Sequence, residues 1–210
     1  MTHREAILEA IREAATPGQR LMVAIAGPPG AGKSTFVEWL HGALGDRAAV
    51  VPMDGFHLEN DVLRARGLLH RKGAPQTFDH AGFIALVRQI RAGGGAISFP
   101  LFDRAADCTL PDADSLDADA EIVIFEGNYL LLDHPDWAAL AALWDVTIRL
   151  DVDADVLERR LVGRWLDHGL TPEAARARAN DNDLLNARMV TRDSRQADWV
   201  LRSGDTGGDT

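Results

Sequence analysis

The chain has 210 residues, of which 46% are hydrophobic and 26% charged, and these values suit one α/β domain with a sizeable core. The formal net charge of −10 argues against nucleic acid as a partner, because most of the surface would repel a polyanion. The single cysteine, Cys108, excludes an internal disulfide and a zinc site built from several thiolates. The first residues lack the apolar core of a signal peptide, and no apolar run is long enough to span a bilayer. We therefore expect a cytoplasmic protein without membrane insertion.

Short apolar runs alternate with helical patterns along the chain. The predicted strands are Leu21–Ala26, Ala49–Met53, Ala96–Phe99, Glu121–Phe125, Val146–Leu150 and Trp199–Leu201. The predicted helices are Arg4–Ala15, Lys33–Leu44, His80–Arg91, Trp137–Leu143, Ala154–His168 and Pro172–Val190. This alternation predicts a three-layer α/β/α fold in which helices cover both faces of a mainly parallel sheet. No repeat or linker divides the chain, so we predict one domain over residues 1–210, with a loose polar tail at 203–210.

The segment that follows the first predicted strand matches the P-loop pattern G-x-x-x-x-G-K-[ST]. Its predicted nucleotide-binding residues are Gly27, Pro28, Pro29, Gly30, Ala31, Gly32, Lys33, Ser34 and Thr35. Glycines let backbone N–H groups converge on phosphate oxygens, and the following helix points its positive end at them. In this pattern the lysine reaches the β- and γ-phosphates, and the Ser34 hydroxyl binds Mg²⁺. The sequence therefore predicts a P-loop NTPase fold that binds a nucleoside triphosphate with magnesium.

Carboxylates end two other predicted strands, at the sheet edge where ligands of such folds bind. Asp54 follows Ala49–Met53, where it can orient an acceptor hydroxyl and take its proton during phosphoryl transfer. A water-mediated magnesium contact and a simple Asp-Gly turn are the alternatives for Asp54. Glu126 ends the apolar run Ile122–Phe125 in the manner of a Walker B segment. We predict that Glu126 lies beside the metal and contacts it directly or through water.

Two arginines of the predicted helix Ala154–His168, Arg160 and Arg164, lie four residues apart and therefore share a helical face. On a helical lid, predicted over about residues 159–169, they can close over the phosphates and stabilise the transferring group. A solvated charged face is the alternative. Phosphoryl transfer needs cations besides Lys33, which favours the lid.

The acceptor pocket is predicted between Asp54, the loop Arg71–Asp79, the segment Phe99–Arg104 and the pair Asn128-Tyr129. The candidate acceptor-binding residues are His57, Lys72, Arg104, Asn128 and Tyr129. Asp79 has a second interpretation as the N-cap of the helix that it precedes.

These segments together resemble a family of P-loop kinases that contains uridine kinase, bacterial pantothenate kinase and phosphoribulokinase, and the resemblance covers about residues 20–201. Uridine kinases share the P-loop, the aspartate at position 54, Pro100–Asp103 and Glu126-Gly127. Pantothenate kinases share Asp54-Gly55-Phe56 and Lys72–Pro75. Bacterial proteins named fructose transport system kinases look most similar, through Pro52–His57, Arg71–Pro75, Glu126–Leu132 and Arg164–Leu166.

The resemblance implies an enzyme that uses ATP and Mg²⁺ to transfer the γ-phosphoryl group to a hydroxyl of a small molecule. Asp54 then corresponds to the catalytic base, and Lys33 and Ser34 to the phosphate and magnesium residues. Arg160 and Arg164 correspond to the arginines of the lid. The name of the most similar proteins suggests a sugar such as fructose as the acceptor, with a uridine-like nucleoside or pantothenate as the alternatives.

A nucleotide-binding switch and a sensor without turnover are the competing interpretations. A GTPase needs a guanine-reading Asn-Lys-x-Asp, and the nearest segment, Asn180–Asp183, lacks the lysine. The segment Asp79–Gly82 matches the D-x-x-G pattern in its letters, but it opens a predicted helix instead of ending an apolar strand. The expected partner is therefore a small-molecule acceptor, and the sequence leaves the oligomeric state open.

Overall fold

The structure is a computed structural model that describes residues 1–202, so the predicted loose tail at 203–210 lies outside the described residues. Its strands are β1 (Leu21–Ala26), β2 (Ala48–Pro52), β3 (Ile97–Asp103), β4 (Cys108–Leu116), β5 (Ile122–Gly127), β6 (Val146–Asp151) and β7 (Trp199–Arg202). Five of them form one sheet in the order β2-β5-β1-β6-β7, and each neighbouring pair is parallel. The mainly parallel sheet predicted from the sequence is therefore confirmed.

The α-helices are α1 (His3–Ala14), α2 (Lys33–Leu44), α3 (Asn60–Ala65), α4 (His80–Ala92), α5 (Ala154–Asp167), α6 (Pro172–Arg178) and α7 (Leu184–Asp193). The long helix predicted at Pro172–Val190 is wrong in one respect, because a π-helical turn at Ala179–Asp183 separates α6 from α7. The segment predicted as a helix at Trp137–Leu143 is a 3₁₀-helix over Ala138–Leu143. Within residues 1–202, no helix has the length and apolar character needed to cross a membrane.

Local capping explains where several helices begin. The Asp79 side chain accepts a hydrogen bond from Gly82 N at 3.0 Å and caps α4. Thr171 caps α6 through Ala174 N, and Pro172 occupies the first turn, where its missing N–H costs no hydrogen bond. Asp153 stands at the N-cap of α5, but its side chain makes no capping hydrogen bond.

Both faces of the sheet are buried, which explains why its strands read as continuous apolar runs. In β1, Met22, Ala24 and Ala26 pack into the core cluster that also contains residues of α4. The alternate residues of β1 pack into a second cluster with residues of α1, α2, α5 and α7. The fold therefore has the three predicted layers, with the sheet in the middle.

The strand predicted at Ala96–Phe99 does not join the parallel sheet. It forms β3, which pairs antiparallel with β4 in a separate two-stranded hairpin. The register shifts between Phe99 and Leu101, at Pro100, which has no N–H to donate to the ladder. The sequence does not predict β4, because its residues are mostly exposed and polar and lack an apolar alternation.

Candidate active site

The P-loop, residues 27–35, connects the carboxyl end of β1 to the start of α2. Gly30 and Gly32 have φ values of 80° and 87°, a region that glycine adopts without the strain of a side chain. Gly27 approaches β6 so closely that a Cβ atom would lie 2.9 Å from the Leu150 carbonyl oxygen. The glycines of the motif therefore set both the curvature of the loop and its distance from the neighbouring strand.

Lys33 lies beneath this loop and is 8% exposed. Its Nζ donates to the carbonyl oxygens of Gly27 and Pro28, both at 3.0 Å, and to Asn128 Oδ1 at 2.7 Å. Burial lowers the pKa of Lys33 to about 8, although the carboxylates of Glu126 and Asp54 oppose the shift. The amine is thus held at the point where the loop would receive phosphate oxygens.

Glu126 lies next to the P-loop because β5 pairs with β1, with Glu126 opposite Ile25. Ser34 Oγ donates to Glu126 Oε1 at 3.1 Å, and burial raises the pKa of Glu126. A hydroxyl and a carboxylate are oxygen ligands of the kind that Mg²⁺ prefers. Within residues 1–202, no group of three or more His, Cys, Asp or Glu side chains could hold a metal ion. The pair therefore fits an ion that takes its remaining ligands from phosphates and water.

Asp54 stands just beyond β2, in a 3₁₀ turn over Met53–Phe56. Pro52 lies opposite Glu126 in the register of β2 and β5, so the two carboxylates belong to neighbouring strand ends. Asp54 Oδ2 accepts a hydrogen bond from Arg104 NH2 at 2.5 Å. The next residue, Gly55, lies against the hairpin, since a Cβ atom there would be 2.0 Å from the Pro100 carbonyl oxygen.

His57 completes this turn. Its Nδ1 lies 2.7 Å from the Asp54 carbonyl oxygen, and its ring lies 4.1 Å from Phe78 and 4.5 Å from Phe102, centroid to centroid. Burial lowers the pKa of His57, with the nearby Asp54 carboxylate opposing the shift. His57 is therefore a neutral ring near pH 7 that forms a wall beside Asp54 and uses one nitrogen to brace the turn.

The two arginines predicted for the lid lie on α5. Arg160 NH1 donates to the Gly30 carbonyl oxygen at 3.2 Å, so this helix contacts the P-loop directly. Arg164 is exposed, yet it lies near enough to Lys33 to contribute to the lowering of its pKa. Trp165 Nε1 donates to Asp183 Oδ2 at 2.6 Å, which fixes α5 to the π-helical turn.

The phosphoribulokinase / uridine kinase family model matches residues 22–206, nearly the whole chain. The chain belongs to this family. A crystal structure from Silicibacter sp. TM1040, described as a "putative fructose transport system kinase", superposes with a TM-score of 0.90. It is 48% identical, and the match covers 96% of this chain and 99% of that one.

Two curated relatives bear other substrate names. A Schizosaccharomyces pombe protein named "putative uridine kinase" is 35% identical and covers 88% of this chain and 83% of its own length. A pantothenate kinase from Citrobacter koseri is 30% identical over 78% of this chain and 55% of its own length. The chain is therefore a small-molecule kinase of the phosphoribulokinase / uridine kinase family, and the relatives' names differ in the acceptor.

Two of the predicted acceptor-binding residues in this kinase have hydrogen-bond partners within the protein. Tyr129 is fully buried, and its hydroxyl donates to the Gly73 carbonyl oxygen at 2.5 Å. Burial raises the pKa of Tyr129 far above its usual range. Lys72 donates to Asn60 Oδ1 and Asp107 Oδ1, each at 2.8 Å, and its side chain is only 12% exposed. Both residues thus make contacts that hold the loop Arg71–Asp79 in place.

Asn128 is also occupied elsewhere, because its Oδ1 accepts from Lys33. Among the five predicted acceptor-binding residues, Arg104 is the one whose side chain is both at Asp54 and mostly exposed. The segments that were expected to surround the pocket do meet: Arg104 NH2 donates to Asp54 Oδ2 at 2.5 Å, and the Tyr129 hydroxyl donates to the Gly73 carbonyl oxygen at 2.5 Å.

Sequence reasoning missed the residues that anchor the loop Arg71–Asp79 to the π-helical turn and α7. Arg71 donates to the Asp181 carbonyl oxygen at 2.8 Å, and Asn182 Nδ2 donates to the Lys72 carbonyl oxygen at 2.8 Å. Asn182 and Asn186 are 1% and 2% exposed. Two asparagines four residues apart on a helical pattern were the available signal, because buried amides need partners.

A groove of about 520 Å³ runs along the edge strand β2, between α2 and the hairpin. It reaches Ser34 and Glu126 at one end and includes Phe99 and Asp114 of the hairpin. Of the predicted pocket, only the segment Phe99–Arg104 contributes to its walls.

The segment Asp79–Gly82 is a helix cap, so its D-x-x-G letters have a structural explanation.

Proposed function

We propose that this enzyme transfers the γ-phosphoryl group of ATP, bound with Mg²⁺ at residues 27–35, to a hydroxyl of a small molecule held beside Asp54. One observation carries the proposal: the P-loop, Glu126 and Asp54 lie at the carboxyl ends of β1, β5 and β2, which are adjacent strands of one parallel sheet. The P-loop and Asp54 therefore share the sheet edge at which ligands of such folds bind, and this supports an in-line transfer between groups held there.

In the proposed reaction, Asp54 accepts the proton of the acceptor hydroxyl as the new O–P bond forms. The bond between the γ-phosphorus and the β–γ bridging oxygen breaks, and ADP leaves with that electron pair. Lys33 and the backbone N–H groups of the P-loop hold the phosphates, and Arg160 and Arg164 offset the charge of the transferring group. Mg²⁺, held through Ser34 and Glu126, would neutralise phosphate charge.

The acceptor classes to test first follow from the names of the relatives: a sugar such as fructose, a nucleoside such as uridine, and pantothenate. All three carry a free hydroxyl, which is the one group that the proposed chemistry requires. An acceptor screen read out by ADP release, with the product confirmed by ³¹P NMR, identifies the substrate.

The base assignment is tested with Asp54→Asn, measured with an acceptor verified in that screen. The amide cannot take the hydroxyl proton, so we expect kcat to fall by about 10²- to 10⁴-fold. Nucleotide affinity should change little, because Asp54 lies outside the P-loop.

Asp46→Asn is the matched control, since Asp46 is exposed in the turn before β2 and lies away from the site. It should keep the wild-type rate. An Asp54→Asn enzyme that transfers phosphate as fast as this control would remove Asp54 from the mechanism.

A further inference from the structure

Arg104 presents an exposed cation on a fixed support. It directly follows β3, and its side chain is 73% exposed. The turn after it is braced by Asp103 Oδ1, which accepts from Ala105 N at 2.8 Å and Ala106 N at 3.0 Å. The tip of the hairpin is tied down by the Lys72–Asp107 ion pair. The backbone at Arg104 is therefore held while the guanidinium remains accessible.

Within residues 1–202, Arg104 has one carboxylate partner, Asp54, at 2.5 Å from NH2. Guanidinium has five donors in a planar fork, and this contact uses one nitrogen of the fork. An exposed ion pair contributes little to stability, so folding alone does not explain why this cation lies on this carboxylate.

Two other cations near the site, Lys33 and Lys72, have partners within the protein. Lys33 donates to the P-loop carbonyls and Asn128, and Lys72 donates to Asp107 and Asn60. The chain as a whole has a formal net charge of −10, so the exposed positive charge of Arg104 is opposite in sign to the net charge of the protein. Such a cation is explained if it meets an anion that arrives with a ligand.

We infer that Arg104 binds an anionic group of the acceptor, so the acceptor is a hydroxylated small molecule that carries a carboxylate or a phosphate. Its anionic group would take the guanidinium away from Asp54 and free Oδ2 to receive the hydroxyl proton. A neutral acceptor would leave Arg104 on Asp54. This inference rests on the proposed function and makes it more specific, because it assigns a charge to the substrate.

Matched acceptor pairs test the inference. Fructose 6-phosphate is compared with fructose, a pair that tests recognition of a phosphate group. Pantothenate is compared with panthenol, a pair that tests recognition of a carboxylate group. We expect an anionic member to have a kcat/KM at least about 10-fold above its neutral partner. Arg104→Gln should raise the KM of that anionic acceptor by about 10- to 100-fold and leave the KM of its neutral partner nearly unchanged.

Arg88→Gln is the control, since Arg88 is an exposed arginine of α4 away from the site. A KM that rises equally for anionic and neutral acceptors in Arg104→Gln would overturn the inference. So would a kcat/KM that is the same for both members of each pair.

A binding measurement separates this inference from the proposed reaction. The same pairs are titrated calorimetrically into the wild-type and Arg104→Gln proteins with ADP and Mg²⁺ present. Anion-selective binding that depends on Arg104, without phosphoryl transfer, would support the inference and contradict the proposed reaction. Transfer to neutral acceptors alone, with no anionic member bound, would support the proposed reaction and contradict the inference.

Discussion

Lys33 combines a charge with almost complete burial, and it does so with carbonyl and amide oxygens as its partners. These neutral groups satisfy its hydrogen bonds but compensate only part of its lost hydration, so its pKa falls to about 8. Phosphate oxygens would supply the missing negative charge. Nucleotide binding and protonation of this residue are therefore expected to be linked.

We predict that binding of a non-hydrolysable ATP analogue takes up protons at pH 8.5 and nearly none at pH 7. The free protein has a Lys33 pKa of about 8, so the amine is mostly neutral at pH 8.5, and the bound phosphates raise that pKa. Affinity should accordingly decline as the pH rises through 8. Calorimetric titrations in two buffers of different ionisation enthalpy measure the uptake. Lys33→Met should abolish it, and equal heats in both buffers at pH 8.5 would contradict the linkage.

The hairpin β3–β4 is the element that brings Arg104 to Asp54. It is attached to the body where Pro100 passes over Gly55, with no room for a Cβ atom. It is attached again where Lys72 meets Asp107. Because the contact at Gly55 is with backbone, a change of side-chain rotamer cannot relieve a larger residue there.

Gly55→Ala should therefore displace the hairpin. We expect the free energy of unfolding to fall by about 1–3 kcal/mol, and acceptor turnover to fall with it, because Arg104 moves away from Asp54. Nucleotide binding should persist, since the P-loop is not part of this contact. Urea unfolding and nucleotide titration measure the two effects separately.

Gly42→Ala is the matched control. Position 42 lies in α2, and a Cβ atom there has nothing within 4 Å. We expect the control to be neutral or to stabilise the helix by about 0.5–1 kcal/mol. Equal stability changes in the two variants would show that the Gly55–Pro100 contact does not constrain the hairpin.

At the scale of the whole molecule, the nucleotide site is built from elements that are far apart in the chain. The P-loop leaves β1, Glu126 comes from β5, and Arg160 reaches the loop from α5. A ligand that contacts all three elements in the folded state only should raise the stability of the entire fold.

We predict that an ATP analogue with Mg²⁺, at about 100 times its Kd, stabilises the protein by about 2.7 kcal/mol and raises Tm by about 5–10 °C. Removing Mg²⁺ with EDTA should reduce this shift, and Ser34→Ala should reduce it in the presence of Mg²⁺ because one oxygen ligand is lost. Differential scanning calorimetry measures all three conditions. The same shift with and without Mg²⁺ would exclude Ser34 and Glu126 as metal ligands.

Much of the fold could be predicted because its signals are local. The apolar run of β1, the P-loop and the start of α2 are contiguous in sequence, and α2 has the predicted bounds Lys33–Leu44. The family and the enzyme class followed from the P-loop together with Asp54, Lys72–Pro75, Pro100–Asp103 and Glu126-Gly127, and both are confirmed by the match over residues 22–206. The roles proposed for Asp54, Arg160 and Arg164 remain predictions.

The sequence by itself determined a parallel P-loop fold, because strands and helices alternate along the chain. It also predicted the donor half of a phosphotransfer site, because the residues of that half lie within one strand–loop–helix unit. The tertiary structure decided which side chains remain available to an acceptor. The Tyr129 hydroxyl donates a hydrogen bond to the carbonyl oxygen of Gly73, 56 positions away, and Lys72 donates to Asp107, 35 positions away. Arg104 reaches Asp54 across 50 positions because an unpredicted hairpin places it there. Contacts of this range depend on packing between separate elements, and a periodicity within one segment cannot reveal them.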